Sequence, residues 1–382
     1  MKIGVAIFAY NRSRHLKKVL DGLKENEEIE QVYVFLDGVK CEADREEWCN
    51  TRKVIDEIDW CETKVFEAKV NKGLADSIVN GIDIVLTEND AVVVLEDDCV
   101  PQPAFMSFMK QCFEKYRYNQ EVYSISGYSW PIDIEQGESD IYFCGRPCPW
   151  GWGTWKDRWI QYKRDYNIVF DIKNDKEASE RMAIWGDDLE RMLITNIQGI
   201  TNSWYVFWSL LLIAKNGYAV NPYKSLIQNE GFDGSGVHCG QTDRFNVLTV
   251  DGRIRNQRFK LPDCISIEKQ TKQKFLDLYG SHAITLSHSE KEDILVYGVG
   301  QCYKNHAKRI NEKYRVIAFV DKYKKDKYYA GIDIIHPKRI VEKEYKYILV
   351  MIENDETCDL VKQELILNYD MDADKIICKR DV

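Results

Sequence analysis

The stretch Val92-Val93-Val94-Leu95-Glu96-Asp97-Asp98-Cys99-Val100-Pro101 decides how the rest of the chain is read. An apolar run rich in β-branched residues predicts a strand buried on both faces, as strands of parallel sheets are. It stops abruptly at three adjacent carboxylates. Crowding Glu96, Asp97 and Asp98 there costs electrostatic energy and raises at least one pKa unless a cation neutralises them. A divalent metal is the simplest such cation. Hard carboxylate oxygens suit Mg²⁺ or Mn²⁺, and these ions in turn usually hold phosphate oxygens. The plain alternative is a solvated acidic turn, but ligands of open α/β sheets collect outside the carboxyl ends of strands, which favours a site.

Upstream of this strand the pattern repeats. Ile3 to Ala9 reads as a strand, and Leu16, Val19, Leu20 and Leu23 share one face of the helix after it. Val32 to Leu36 is a second strand ending at Asp37-Gly38, followed by a charged helix from about Asp44 to Ile58. Lys64 to Ala68 is a weaker third strand. It leads through Asn71-Lys72-Gly73 into a helix carrying Leu74, Ile78, Ile82 and Val85. Downstream, Phe105, Phe108, Met109, Cys112, Phe113 and Tyr116 line one helical face. Such alternation predicts a mostly parallel sheet with helices on both sides. Tyr10 to Arg12, Asp37, Asn71 to Gly73 and Glu96 to Asp98 then all fall at strand C-terminal ends and converge on one crevice.

From Cys144 the composition changes: seven of the ten tryptophans fall between Trp150 and Trp208, punctuated by glycines. Such a segment serves as a core wedge or as a platform for a ring-shaped ligand. Helices are predicted over Asp188 to Ile197 and Trp204 to Ala214, with Leu211 and Leu212 in the core. The glycine-rich stretch Asn229 to Gly240 predicts a mobile loop that carries His238, a candidate late-arriving metal ligand. Residues from about Asp251 to Glu292 read as a polar tail and linker. A second, smaller α/β domain follows, with strands at Asp293–Tyr297, Val316–Val320 and Tyr347–Ile352 and helices through about Asn311 and over Glu356–Leu367. Its Gly298-Val299-Gly300 lacks the third glycine of a dinucleotide-binding turn, since Tyr303 stands in that place. The predicted domains are residues 1–288 and 289–382.

The 382 residues, 45% hydrophobic and 30% charged, suffice for two domains with a large core. A formal charge of −9 argues against nucleic acid as a partner. Twelve scattered cysteines form no disulfide framework and are expected as reduced thiols, with Cys144 and Cys148 as packing residues. The first apolar run is too short for a signal-peptide core, and no run approaches the roughly 20 residues needed to cross a bilayer. A cytoplasmic protein is the expectation; peripheral contact with the inner face of the membrane and a homodimer stay open.

The ordered set of motifs resembles the GT-A glycosyltransferases, specifically bacterial nucleotide-sugar transferases distantly like N-acetylglucosaminyltransferase I. It comprises Ala9-Tyr10-Asn11-Arg12, Asp37-Gly38, Asn71-Lys72-Gly73 with Ala75 and Asn80-Gly81, and Val94 to Asp98. Pro149-Trp150-Gly151-Trp152-Gly153, Asn202-Ser203-Trp204, and Asn229 through Gly231-Phe232-Asp233-Gly234 to His238 complete it. The resemblance covers about the first three-quarters of the chain. It implies an α/β fold made of a GT-A domain plus a small C-terminal Rossmann-like domain, and transfer of a sugar from a nucleoside-diphosphate sugar to a hydroxyl of a glycan or lipid-linked glycan. It implies donor contacts from Tyr10, Asn11, Arg12, Asp37, Lys72, Asp97 and Trp152, and a Mn²⁺ or Mg²⁺ ion on Asp98 and His238.

One departure matters. Many relatives place an Asp directly after the tryptophan matched by Trp204, as base toward the acceptor; here that residue is Tyr205, a poor base at neutral pH. Asp188 is the candidate replacement, with Asp187 beside it, unless the enzyme retains configuration. Two other readings stay open: a degenerate nucleotide-sugar-binding protein, and a sugar-phosphate nucleotidyltransferase, whose glycine-rich phosphate loop is missing after the first strand.

Overall fold

Strands and helices alternate from the start, as the hydrophobic periodicity requires. In chain order they are β1 (Ile3–Ala9), α1 (Ser13–Lys24), β2 (Gln31–Leu36), α2 (Arg45–Asp56), β3 (Glu62–Glu67), α3 (Leu74–Glu88), β4 (Ala91–Glu96), β5 (Cys99–Pro101) and α4 (Phe105–Tyr116). The middle of the chain continues with β6 (Val122–Ser126), β7 (Ile141–Cys144), β8 (Trp152–Trp155), α5 (Lys156–Trp159), α6 (Ile168–Asn174), α7 (Lys176–Trp185) and α8 (Asp188–Ile197). Then come α9 (Tyr205–Ala214), β9 (Tyr218–Pro222), β10 (Ile227–Asn229) and α10 (Lys269–Tyr279). The last part holds β11 (Glu292–Tyr297), α11 (Gln301–Lys313), β12 (Tyr314–Val320), β13 (Tyr328–Tyr329), β14 (Ile332–Ile335), β15 (Tyr347–Val350), α12 (Asp355–Tyr369) and β16 (Ile376–Cys378). This computed structural model describes residues 1–26, 29–231, 247, 249, 257–279, 292–324, 328–329 and 332–381. The chain divides into two units: Met1–Arg164 with Ile172–Asp187 and Trp204–Ala283, and Asp165–Asp171 with Asp188–Ser203 and Ile284–Val382.

The first unit is built on an eight-stranded sheet in the order β3-β2-β1-β4-β8-β6-β9-β7. Strands β3, β2, β1 and β4 run parallel, as the β-α alternation predicts. β4 is bonded on one edge to β1 and on the other to β8, and Val92 to Leu95 are fully buried. Its apolar composition is therefore a consequence of having protein on both faces and both edges. Under α3, Phe8, Phe35 and Phe66 stack across β1, β2 and β3 at centroid spacings of 5.0 and 4.9 Å. A Cβ at Gly81 of α3 would strike the Phe8 ring, so that glycine lets the helix lie close to the sheet.

Beyond β4 the sheet departs from the parallel expectation. β8 enters antiparallel between β4 and β6, and β7 closes the far edge antiparallel to β9. The sequence around Trp152-Gly153-Thr154-Trp155 hid this strand because its period-2 signal is masked by tryptophans on both faces. Gly151, at φ +57°, makes the turn into it. The stretch read as tail and linker also needs correction. It contains α10, whose Phe275 is fully buried edge-on to Trp130 and Trp185. One ring in a polar helix anchors it to the core, a signal too sparse for periodicity to catch.

The second unit carries a six-stranded sheet, β13-β14-β12-β11-β15-β16, parallel throughout except at the β13–β14 edge pair. Chain order reverses at β11, with β12 on one side and β15 on the other. Tyr303, where a third glycine would be needed, is buried against Phe319. The α/β class expected from the sequence is what both units have. Among the described residues no helix is long and apolar enough to cross a membrane. All the described cysteines are free thiols, and Cys144 and Cys148 are buried packing residues as expected.

Candidate functional site

Four strand ends of the first unit bring the predicted residues together. The parallel register of β1 with β2 and β4 sets Tyr10 to Arg12, Asp37 and Asp97-Asp98 side by side, and the β3–α3 turn completes the row. Convergence on one crevice is therefore a property of the sheet.

The acids come first. Asp97 is buried, and Arg12 Nη2 donates to Asp97 Oδ1 and, at 2.9 Å, to Asp98 Oδ2. The cation nearest the acids is thus a residue 85 positions upstream of Asp97. Burial pushes the Glu96 carboxyl up to about 8, helped by the charges of Asp98 and Asp97 and opposed by Arg12. Burial likewise pushes Asp97 up to about 6, against the pull of Arg12. For Arg12 burial works against the charge, but Asp97 and then Asp98 more than offset it and its pKa rises. Three carboxylates share one guanidinium, too little positive charge to cancel the burial that raises Glu96 and Asp97.

Asp98 is walled in by β10, which pairs antiparallel with β5 so that Asn229 faces Cys99. The Asp98 carbonyl accepts from Glu230 N at 2.9 Å, and Lys18 holds the Glu230 carboxylate at 2.6 Å. A Cβ at Gly231 would collide with Asp98 Oδ2, so any side chain there would have to push the carboxylate aside. This requirement went unread in the sequence, where Gly231 was one of several glycines in a loop.

Asp37 stands at the end of β2, where the sequence places it, and its side chain is engaged within the protein. Its carboxylate accepts from Gly38 N at 2.9 Å, Lys72 N at 2.8 Å, Gly73 N at 2.8 Å and Asn71 Nδ2 at 3.0 Å. Both oxygens are engaged, so in this structure Asp37 clamps the β3–α3 turn, with Gly73 at φ +80°. The Lys72 side chain is left exposed at the rim. Tyr10 and Asn11 are similarly tied down: Tyr10 Oη donates to Asp44 Oδ2 at 2.7 Å, and Asn11 Nδ2 to Asp44 Oδ1 at 3.0 Å. Burial and Asp44 raise the Tyr10 phenol to about 12. Asp44, in a short 3₁₀ turn before α2, links the loops after β1 and β2, and no local pattern marked it.

Trp152 requires a correction. Expected at the donor, it is fully buried in β8, stacked on Trp204 with ring centroids 5.0 Å apart. A residue with no surface is a core residue, and the glycines around it serve close packing. Pro149 and Trp150, half-buried, are the members of that motif that keep surface. Tyr205 is also locked, since its hydroxyl donates to Pro147 O at 2.9 Å and accepts from Arg146 Nε at 3.1 Å. Arg146 itself is buried, stacked 3.7 Å over the Tyr279 ring. Asp188 is the first residue of α8, in the second unit. His238 lies outside the described residues.

Among the described residues no group of three or more His, Cys, Asp or Glu side chains is arranged to hold a metal ion. Mg²⁺ and Mn²⁺ do not need such a cage, because one or two carboxylates plus substrate phosphates suffice. Asp97, buried, and Asp98, half-buried, are under-compensated at a strand end and fit that requirement.

A family model described as C2185-like, N-terminal, matches residues 290–377. No curated protein matches the chain. Among solved structures, the chain is similar to S. aureus TarS at 13% identity over 36% of this chain and 24% of that one, with a TM-score of 0.26. It is similar to the mannosyltransferase PcManGT of Pyrobaculum calidifontis in complex with GDP-Man and Mn²⁺, at 11% identity over 56% and 69%, TM-score 0.29. A third is glucosyl-3-phosphoglycerate synthase of Mycobacterium tuberculosis with Mn²⁺ and uridine diphosphate, at 14% identity over 33% and 43%, TM-score 0.23. The chain spans about a quarter of TarS and less than half of the synthase. Likeness of this degree leaves function to be argued from the site.

Proposed function

We propose that the first unit is a metal-dependent glycosyltransferase of GT-A type, moving a sugar from a nucleoside-diphosphate sugar to a hydroxyl of a bacterial surface glycan or its lipid-linked precursor. The observation that carries this reading is the under-compensated pair of buried Asp97 and half-buried Asp98 at the end of β4, in the crevice where four strand ends meet. A nucleoside diphosphate is a good leaving group only when its developing charge is neutralised, and Mn²⁺ or Mg²⁺ supplies that neutralisation when bound. In this reading Asp98 and Asp97 hold the cation. The Asp37 clamp presents the Asn71–Gly73 turn and Lys72 to the donor, and Tyr10 and Asn11 shape the loop beside it. His238 is proposed as a further metal contact. Residues 1–288 form the transferase and 289–382 an accessory Rossmann-like domain.

Replacing Asp98 with Asn tests the assignment. Donor turnover, read as nucleoside diphosphate released, should disappear while circular dichroism stays that of the parent; near-normal turnover would sink the metal assignment.

A second reading, a nucleotide-sugar-binding protein without turnover, is favoured by Tyr205, whose hydroxyl is engaged on both sides and abstracts no proton. Calorimetry with nucleoside diphosphates and Mn²⁺ alongside a donor-hydrolysis assay separates the two: tight binding without turnover selects the second.

A further inference from the structure

We propose that Arg12 is a built-in counter-ion that holds the Asp97 and Asp98 carboxylates in the place of the divalent cation and has to release them before that cation binds. The inference rests on the metal reading of this acid pair.

Geometry carries it. Arg12 stands at the N-terminal boundary of α1, and its Nη2 alone serves both carboxylates. The second terminal nitrogen, Nη1, is buried with no hydrogen-bond partner among the described residues. A guanidinium bound in this way leaves unused the planar fork that makes arginine a strong partner for carboxylates. It acts as a point charge, a role a compact divalent ion fills better. On these oxygens the two compete. A Mg²⁺ or Mn²⁺ ion sits about 2.1 Å from its carboxylate ligands. Asp98 Oδ2 is 2.9 Å from Arg12 Nη2. An ion on that oxygen would stand within about 5 Å of the guanidinium, where like charges repel strongly in a partly buried site.

Asp98 has little room to turn toward both cations. Its Oδ1 accepts from Cys99 Sγ at 3.4 Å, and Oδ2 occupies the space that a Cβ on Gly231 would fill. Displacement therefore falls to Arg12, which keeps part of its side chain at the surface. Once released, its fork is available to the phosphate oxygens of a donor, a bidentate acceptor better matched to it than a single carboxylate oxygen. Without a cation the same contact keeps the two acids from repelling each other.

The test is a titration with Mn²⁺ alone, read by the electron paramagnetic resonance signal of the free ion, on the full chain and on R12Q, R12K and D98N. Arg12→Gln should bind Mn²⁺ about tenfold more tightly than the parent, since a competing charge has gone. Arg12→Lys, which keeps the charge on a longer, non-planar tether, should fall between. Tightening is diagnostic, because structural damage around the acids weakens a metal site. Affinity unchanged or weaker in both Arg12 variants, with parental circular dichroism, overturns the counter-ion role. Failure of the underlying reading looks different: Asp98→Asn would then bind Mn²⁺ as the parent does.

Discussion

The chain contains two sheets built around parallel β-α units, and the strand ends of those units are treated in opposite ways. In the first unit, acids are buried at the carboxyl end of β4 with less positive charge than they need, and their pKa values rise. In the second unit the corresponding ends carry half-buried or exposed charges that already have partners. Lys379 meets Glu353 at 3.0 Å, Lys322 meets Glu364 at 2.5 Å, and Asp321 accepts from the backbone of Tyr323 and Lys324. The buried ring of Tyr303 takes the place where a dinucleotide turn would need glycine. Under-compensated buried charge marks a site that awaits a ligand, while pairs already closed near the surface mark a settled one. The difference locates the proposed chemistry in the first unit.

The largest effect that would break this comparison is on turnover. Asp98→Asn should lower it by about 10³-fold, the scale of losing an electrostatic stabiliser of a leaving group. Asp321→Asn in the second unit should leave it unchanged in the same nucleoside-diphosphate assay; equal losses would erase the distinction. Next comes packing. Tyr303→Ala should destabilise the second unit by about 3 kcal/mol in denaturant unfolding, the cost of emptying a fully packed aromatic site, and should confer no nucleotide binding.

A smaller effect sharpens the electrostatic side. Because Glu96 and Asp97 bind protons more tightly folded than unfolded, the folded state holds more protons between the ordinary carboxyl range and about 8. Stability of the metal-free first unit must then fall as pH rises through that window, by up to about 1.4 kcal/mol per pH unit for each proton lost. Thermal unfolding across this range should show the fall, and added Mn²⁺ should flatten it. The smallest effect belongs to the second unit, where Lys379→Ala should leave the unfolding midpoint unmoved, as a pair near the surface screened by water predicts.

Much of this was legible locally. The helices over Asp188–Ile197 and Trp204 onward, the β-α alternation and the strand ending in Glu96-Asp97-Asp98 follow from periodicity, which neighbouring residues carry among themselves. The burial of Trp152, the engagement of the Tyr205 hydroxyl and the anchoring of α10 by Phe275 follow no local pattern. Each depends on what a distant segment brings to that side chain.

The acids at the end of β4 show both halves of the matter. By itself the sequence determined that three carboxylates would crowd the end of an apolar strand and demand a cation, because adjacency and hydrophobicity are properties of the chain. Only the tertiary structure decided which cation answers, since Arg12 reaches Asp97 and Asp98 through the register of β1 beside β4. Charge pairing is settled by distance in space, and the sheet sets that distance.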